Sequence, residues 1–132
     1  MSQENVEIVR REYVAMAARD WAALKDIWHP DVEYEVVMGA GTFRGLDRIT
    51  EFFDSYGEMY SEFEVEVEEI LDVGDYVVAV ERLSGRGLMG SGVGGSVHER
   101  FARVNTFKDG KIWRAKEYRT VAEALEAVGL SG

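Results

Sequence analysis

Val6, Val9, Tyr13, Met16 and Ala17 lie three or four positions apart, the period of one helix face, and Ser2 and Glu4 suit that helix's first turn. The pattern predicts a helix ending near Arg19. Asp20 then caps a second, short helix carrying Trp21, Leu24, Ile27 and Trp28. Pro30 stops it, because the residue before a proline is biased out of the α region. From Asp31 to Met38 the period changes to two, with Val32, Tyr34 and Val36 set against Glu33 and Glu35, and this predicts a strand with one buried face. Gly39, Gly41 and Gly45 break it. Asp47 caps a third helix whose stripe holds Ile49, Phe52, Phe53, Tyr56 and Met59 or Tyr60, a pattern suited to covering a sheet.

Alternation returns from Phe63 to Val73, and Gly74-Asp75 turns the chain into a strand from Tyr76 to Gly87. After a glycine-rich stretch, a third long strand runs from Val97 to Lys108, and Asp109-Gly110 marks a hairpin into Lys111 to Tyr118. Thr120 and Glu123 form a capping box for a last helix holding Val121, Leu125 and Val128, ended by Gly129. Nothing in the pattern divides the chain, so residues 1–132 read as one α+β domain of order α-α-β-α-β-β-β-β-α. Strands joined by short turns pair antiparallel, and the early helices cover one face of the sheet. A small-molecule pocket forms where helices and the concave sheet face diverge.

Composition narrows the function. The 25 acidic and 15 basic residues give a formal net charge of -10, which disfavours nucleic acid and anionic membrane surfaces as partners. The opening Met1-Ser2-Gln3-Glu4 has neither a basic nor an apolar leader segment, and no apolar run approaches a membrane span, so a cytoplasmic protein is expected. Without cysteine, the available chemistry is that of carboxylates, Tyr, Arg and His. His29 and His98 lack ligand partners at suitable spacing, so no metal is expected. Gly85-Arg86-Gly87-Leu88-Met89-Gly90 spells a dinucleotide fingerprint, but strands rather than a helix are predicted on both sides, so it reads as a mobile loop and no cofactor is expected.

Four runs carry a resemblance across nearly the whole chain: Val9 to Ala15 (VRREYVA), Trp28 to Glu33 (WHPDVE), Thr42 to Phe53 (TFRGLDRITEFF) and Asn105 to Ile112 (NTFKDGKI). With the order of elements, they resemble the SnoaL-like branch of the nuclear transport factor 2-like superfamily, the polyketide cyclases and ketosteroid-isomerase relatives. That resemblance implies helices packed on a strongly curved antiparallel sheet around a cone-shaped pocket. It does not imply one reaction, since members include isomerases, cyclases, hydrolases, dehydratases and non-catalytic binding subunits. Ketosteroid isomerase's tyrosine falls on Tyr13, its base on Val36 or Tyr34, and its protonated acid on Arg103, so its mechanism is not carried over. The cyclases' acid/base residue on the last strand falls on Glu117.

Alternation puts Trp113, Ala115 and Glu117 on the pocket face of the last strand, opposite Ile112, Arg114, Lys116 and Tyr118. The preceding strand groups Phe101, Arg103, Asn105 and Phe107 on one face. A two-residue turn at Asp109-Gly110 would separate Arg103 from Glu117, whereas a three-residue turn, Lys108 to Gly110, puts them together, and the resemblance favours the second. Arg103 and Glu117 then read either as a structural ion pair or as ligand chemistry. The catalytic expectation is Glu117 moving a proton, Arg103 stabilising oxyanion charge and Tyr13 donating a hydrogen bond, on a small hydrophobic or carbonyl-containing, polyketide-like ligand. Tyr34, Trp28, Phe53, Trp113, Asn105 and Glu81 are the expected substrate-contacting residues. The rival reading is a non-catalytic ligand-binding or scaffold homodimer. A homodimer is expected in either case, through an outer sheet face where Val78, Val80, Ala102, Val104 and Thr106 would otherwise lie in water.

Overall fold

Two helices, α1 (Ser2–Ala17) and α2 (Trp21–Ile27), lead the chain in the computed structural model, which describes residues 2–36, 41–87 and 96–129. Arg19 takes a left-handed φ of 54°, and the amides of Arg19 and Asp20 bond back to the carbonyls of Met16 and Ala15, at 3.1 and 2.8 Å. This closes α1 sharply. Asp20 at once caps α2 by accepting from the amide of Ala23 at 3.2 Å. The two helices therefore turn on themselves within a few residues, as the sequence predicts.

The strands are β1 (Trp28–Val36), β2 (Gly41–Arg44), β3 (Tyr60–Val73), β4 (Tyr76–Gly87), β5 (Ser96–Lys108) and β6 (Lys111–Tyr118). With α3 (Leu46–Met59) and α4 (Val121–Ala127) they complete the fold. They form one curled, unclosed sheet in the order β2-β1-β6-β5-β4-β3. Neighbours are antiparallel except β1 and β6, which run parallel. Strand β2 departs from the expected order. The glycines read as a break instead bracket a short strand: Gly41 and Gly45 both have φ of 86°, and between them the chain returns antiparallel to β1. Residues 37–40 and 88–95 lie outside the described residues, and with them Met38, Gly39 and most of the glycine-rich stretch; so do the side chains of Tyr56, Met59, Tyr60, Phe63 and Val97.

Buried on both faces, β4 presents Val77-Val78-Ala79-Val80 as a continuous apolar run. Val77 and Ala79 face the main core with Ile8, Val9, Tyr13, Leu24, Ile27, Trp28, Tyr34 and Ile49. Val78 faces the other way, into a second cluster with Ala102, Val104 and Ala124, flanked by Val121, Leu125 and Val128 of α4. This corrects the expectation for the outer face. Of the residues expected to lie open to water, Val78, Ala102 and Val104 are packed against the chain's own last helix. Thr120 caps that helix, accepting from the amide of Glu123 at 3.1 Å.

The β5–β6 hairpin corrects a second expectation. Lys108 pairs with Lys111 across a two-residue turn in which Asp109 and Gly110 have φ of 53° and 74°, the signature of a type I′ turn. On its own that turn would put Arg103 and Glu117 on opposite faces. A bulge intervenes, since Phe107 pairs with Ile112 but Thr106 with Arg114, leaving Trp113 as the extra residue. Parity is restored beyond it, and Arg103 stands directly across from Glu117. The bulge also brings Ile112, expected on the outer face, into the main core with Ala115. No helix among the described residues is long and apolar enough to cross a membrane.

Candidate functional site

The interior of the sheet holds charge where a core normally holds none. Glu12, Glu81 and Arg103 are all buried, at 0, 3 and 0% exposure. Glu12 belongs to α1 and occupies the apolar stripe between Val9 and Met16, so the helix that covers the sheet necessarily carries a carboxylate inward. It meets the guanidinium of Arg103 from β5 in an ion pair and accepts a hydrogen bond from the indole Nε1 of Trp28 at 2.6 Å. The Arg103 Cζ lies over the rings of Tyr13 and Tyr34, at 5.0 and 5.4 Å from their centroids. One guanidinium nitrogen reaches the Tyr34 hydroxyl at 3.5 Å, while Nε, also buried, has no hydrogen-bond partner among the described residues. Burial opposes the charge on Arg103, and Glu12 with Tyr13, Tyr34 and Glu81 more than offsets that, holding it protonated.

Each tyrosine in turn serves one carboxyl. The Tyr13 hydroxyl donates to Glu81 at 2.5 Å, and the Tyr34 hydroxyl donates to Glu117 at 2.8 Å. Burial raises the titration of both phenols well above the usual tyrosine value, against the pull of Arg103 and with the push of neighbouring carboxylates, so both remain donors. Glu81 is pushed up to about 7, first by burial and then by the negative charges of Glu117 and Glu12, against the opposing effects of Arg103 and the Tyr13 hydrogen bond. A carboxyl titrating there exchanges a proton near neutral pH.

Both carboxyls open onto one chamber. Its wall is Met16, Tyr34, Val36, Phe52, Phe53, Val65, Glu81, Leu83, Phe101 and Glu117, enclosing about 20 Å³. Of the residues expected to act, Glu117 is in this wall, and Tyr13 and Arg103 stand behind it, bound to Glu81 and Glu12. Of those expected to touch a ligand, Tyr34, Phe53 and Glu81 line the chamber, with Phe53 edge-on to Tyr34 at 5.6 Å. Trp28 instead anchors Glu12. Asn105 is fully buried in the sheet and donates to the carbonyls of Val77 and Arg103, at 3.1 and 3.4 Å. Trp113, displaced by the bulge, lies against Lys108 and Arg114 away from this wall. Glu12 escapes the sequence reading. The signal it offers is its place, a carboxylate three residues from Val9 and four from Met16 on a stripe otherwise apolar.

A family model of the SnoaL-like domain matches residues 9–115. A protein of Mycobacterium tuberculosis is 32% identical over 129 residues, spanning 93% of this chain and 94% of the relative. Among solved structures, a nuclear transport factor 2-like protein of Burkholderia thailandensis superposes with a TM-score of 0.77 at 28% identity, covering 94% of this chain and 96% of its own. A polyketide cyclase candidate of Sinorhizobium meliloti gives 0.70 at 23% identity over 89% of this chain and 99% of its own, a likeness that establishes the fold.

Proposed function

The chain belongs to the SnoaL-like domain family, and from that membership and its paired carboxyls we propose that it is an acid/base catalyst on a small carbonyl compound, working without a cofactor. The observation that carries the reading is that Glu81 and Glu117 face one apolar chamber while in different environments. Glu81 is protonated below about pH 7, and Glu117 accepts a hydrogen bond from the Tyr34 hydroxyl. A proton donor and a hydrogen-bond acceptor facing one chamber can divide the work of acid and base.

In the proposed step, Glu117 takes the proton from the carbon beside the carbonyl. The electron pair moves onto the carbonyl oxygen, where the O–H of Glu81 donates to the developing charge, and return of the proton to a carbon completes an isomerisation or sets up a ring closure. Tyr34 orients Glu117 and Tyr13 holds Glu81. Arg103, fixed by Glu12, positions Tyr34 and adds positive potential behind the wall. The polyketide-cyclase name of the Sinorhizobium neighbour is in keeping with a partly apolar, polyketide-like substrate.

The small chamber favours a second reading, ligand binding without turnover, because about 20 Å³ holds little more than one water-sized group. A homodimer goes with either reading. Hydrogen–deuterium exchange of 2-tetralone in D₂O, followed by NMR, separates the readings. Catalysed exchange that falls by about 10²- to 10⁴-fold in Glu117→Gln supports catalysis. Exchange at the buffer rate in the wild type contradicts it for this class of ketone.

A further inference from the structure

Beside the chamber lies a second and larger space. It is a cleft of about 360 Å³ between the end of α1, the start of α2, α3 and β3, lined by Met16, Ala17, Arg19, Trp21, Phe53, Glu64, Val65 and Glu66. Met16, Phe53 and Val65 belong to both walls, so the two spaces are separated by those side chains. The volumes divide the work. The cleft falls within the size range of small-molecule sites, whereas the chamber takes a single water-sized group. A ring system cannot enter the chamber as it stands, but a carbonyl oxygen can.

We propose that the cleft is the binding subsite for the body of the ligand, an uncharged bicyclic-sized aromatic or alicyclic group, which presents its carbonyl edge at the partition, the oxygen passing to Glu81 and the adjoining C–H turned to Glu117. The proposal rests on the acid/base reading for the role of the chamber. Trp21 and Phe53 line one side of the cleft with nearly parallel rings, 6.5 Å between centroids and 16° between planes, and Met16, Ala17 and Val65 extend the apolar surface. The polar positions select charge. Arg19 is already matched by Asp54 at 3.4 Å, whereas Glu64 and Glu66 add two negative charges to the lining. An anionic ligand meets repulsion there, and a neutral one does not. Met16, unbranched and adaptable, is the part of the partition best able to shift as the oxygen passes.

The test uses 2-naphthol, neutral and unreactive, and 2-naphthoate, its anionic counterpart, in ligand-observed NMR titrations at neutral pH. Wild type should bind 2-naphthol at least tenfold more tightly than 2-naphthoate. Ala17→Trp, at an exposed position that fills the cleft without touching the chamber, should weaken 2-naphthol at least tenfold. Glu64→Lys with Glu66→Lys should raise the affinity for 2-naphthoate. Unchanged 2-naphthol affinity in Ala17→Trp, or equal binding of the two probes by wild type, overturns the proposal. Its failure is distinguishable from failure of the catalytic reading. Naphthol binding lost in Ala17→Trp with no exchange of 2-tetralone sinks only the chemistry, and 2-tetralone exchange unaffected by Ala17→Trp sinks only the subsite.

Discussion

Arg103 pairs with Glu12 of α1 although Glu117 stands directly across from it on β6. The structural ion pair and the candidate proton carrier are thus different carboxylates, and they separate by experiment. Glu12→Gln leaves a buried guanidinium without its countercharge, and the expected loss is about 3 to 5 kcal/mol. Glu117→Gln retains an acceptor for Tyr34 in a half-buried position and should cost about 1 kcal/mol or less. Urea unfolding of the two variants checks the ranking; the reverse order would return Glu117 to a structural role.

The raised titration of Glu81 fixes the sign of a pH effect. The folded protein holds this proton more tightly than the unfolded chain, whose value is the ordinary 4.5, so the stabilisation is complete below that value and is lost as pH rises through about 7. Its size is on the order of 3 kcal/mol. Glu81→Gln removes this proton uptake. Between pH 5 and 7 the stability of wild type should fall relative to that of Glu81→Gln, read from denaturant midpoints at each pH; parallel curves would contradict the assignment.

At the end of α1 the backbone asks for glycine and has arginine. Arg19 sits at a left-handed φ of 54°, a conformation that costs a side-chain-bearing residue about 1 kcal/mol or more. Its ion pair with Asp54 is half exposed on both sides and returns little. Arg19→Gly should therefore stabilise the protein by about 0.5 to 1 kcal/mol in urea unfolding. A loss of stability would mean that the pair outweighs the backbone strain.

Much of the fold was legible because its signals are local. The period of two in β1, β3 and β5, the capping residues Asp20 and Thr120, and the Asp109-Gly110 turn all act within a few residues. Strand β2 was not, because four residues, the first of them a glycine, carry too little pattern to register as a strand. The register of β6 was not legible either. The turn read as three residues has two, and the Arg103–Glu117 juxtaposition survives only because the bulge at Trp113 supplies the extra residue. The same bulge turned Trp113 from the pocket face and brought Ile112 inward. At the site, Glu117, Glu81, Tyr34 and Phe53 could be placed from alternation and resemblance. The pairing could not, because which carboxylate reaches Arg103 depends on how α1 lies across the sheet, and a helix-to-sheet docking leaves no local trace except Glu12's place on an apolar stripe.

If Glu81 and Glu117 act as acid and base in one chamber, their coupling shows in a carboxyl titration. With ¹³C-labelled glutamate and Glu81→Gln used to assign the resonance, Glu81 should titrate near pH 7 in wild type. In Glu117→Gln, where one of the charges that raises it is gone, the midpoint should move down. A wild-type midpoint near the ordinary 4.5, or one that does not respond to Glu117→Gln, would contradict the pairing of these two residues.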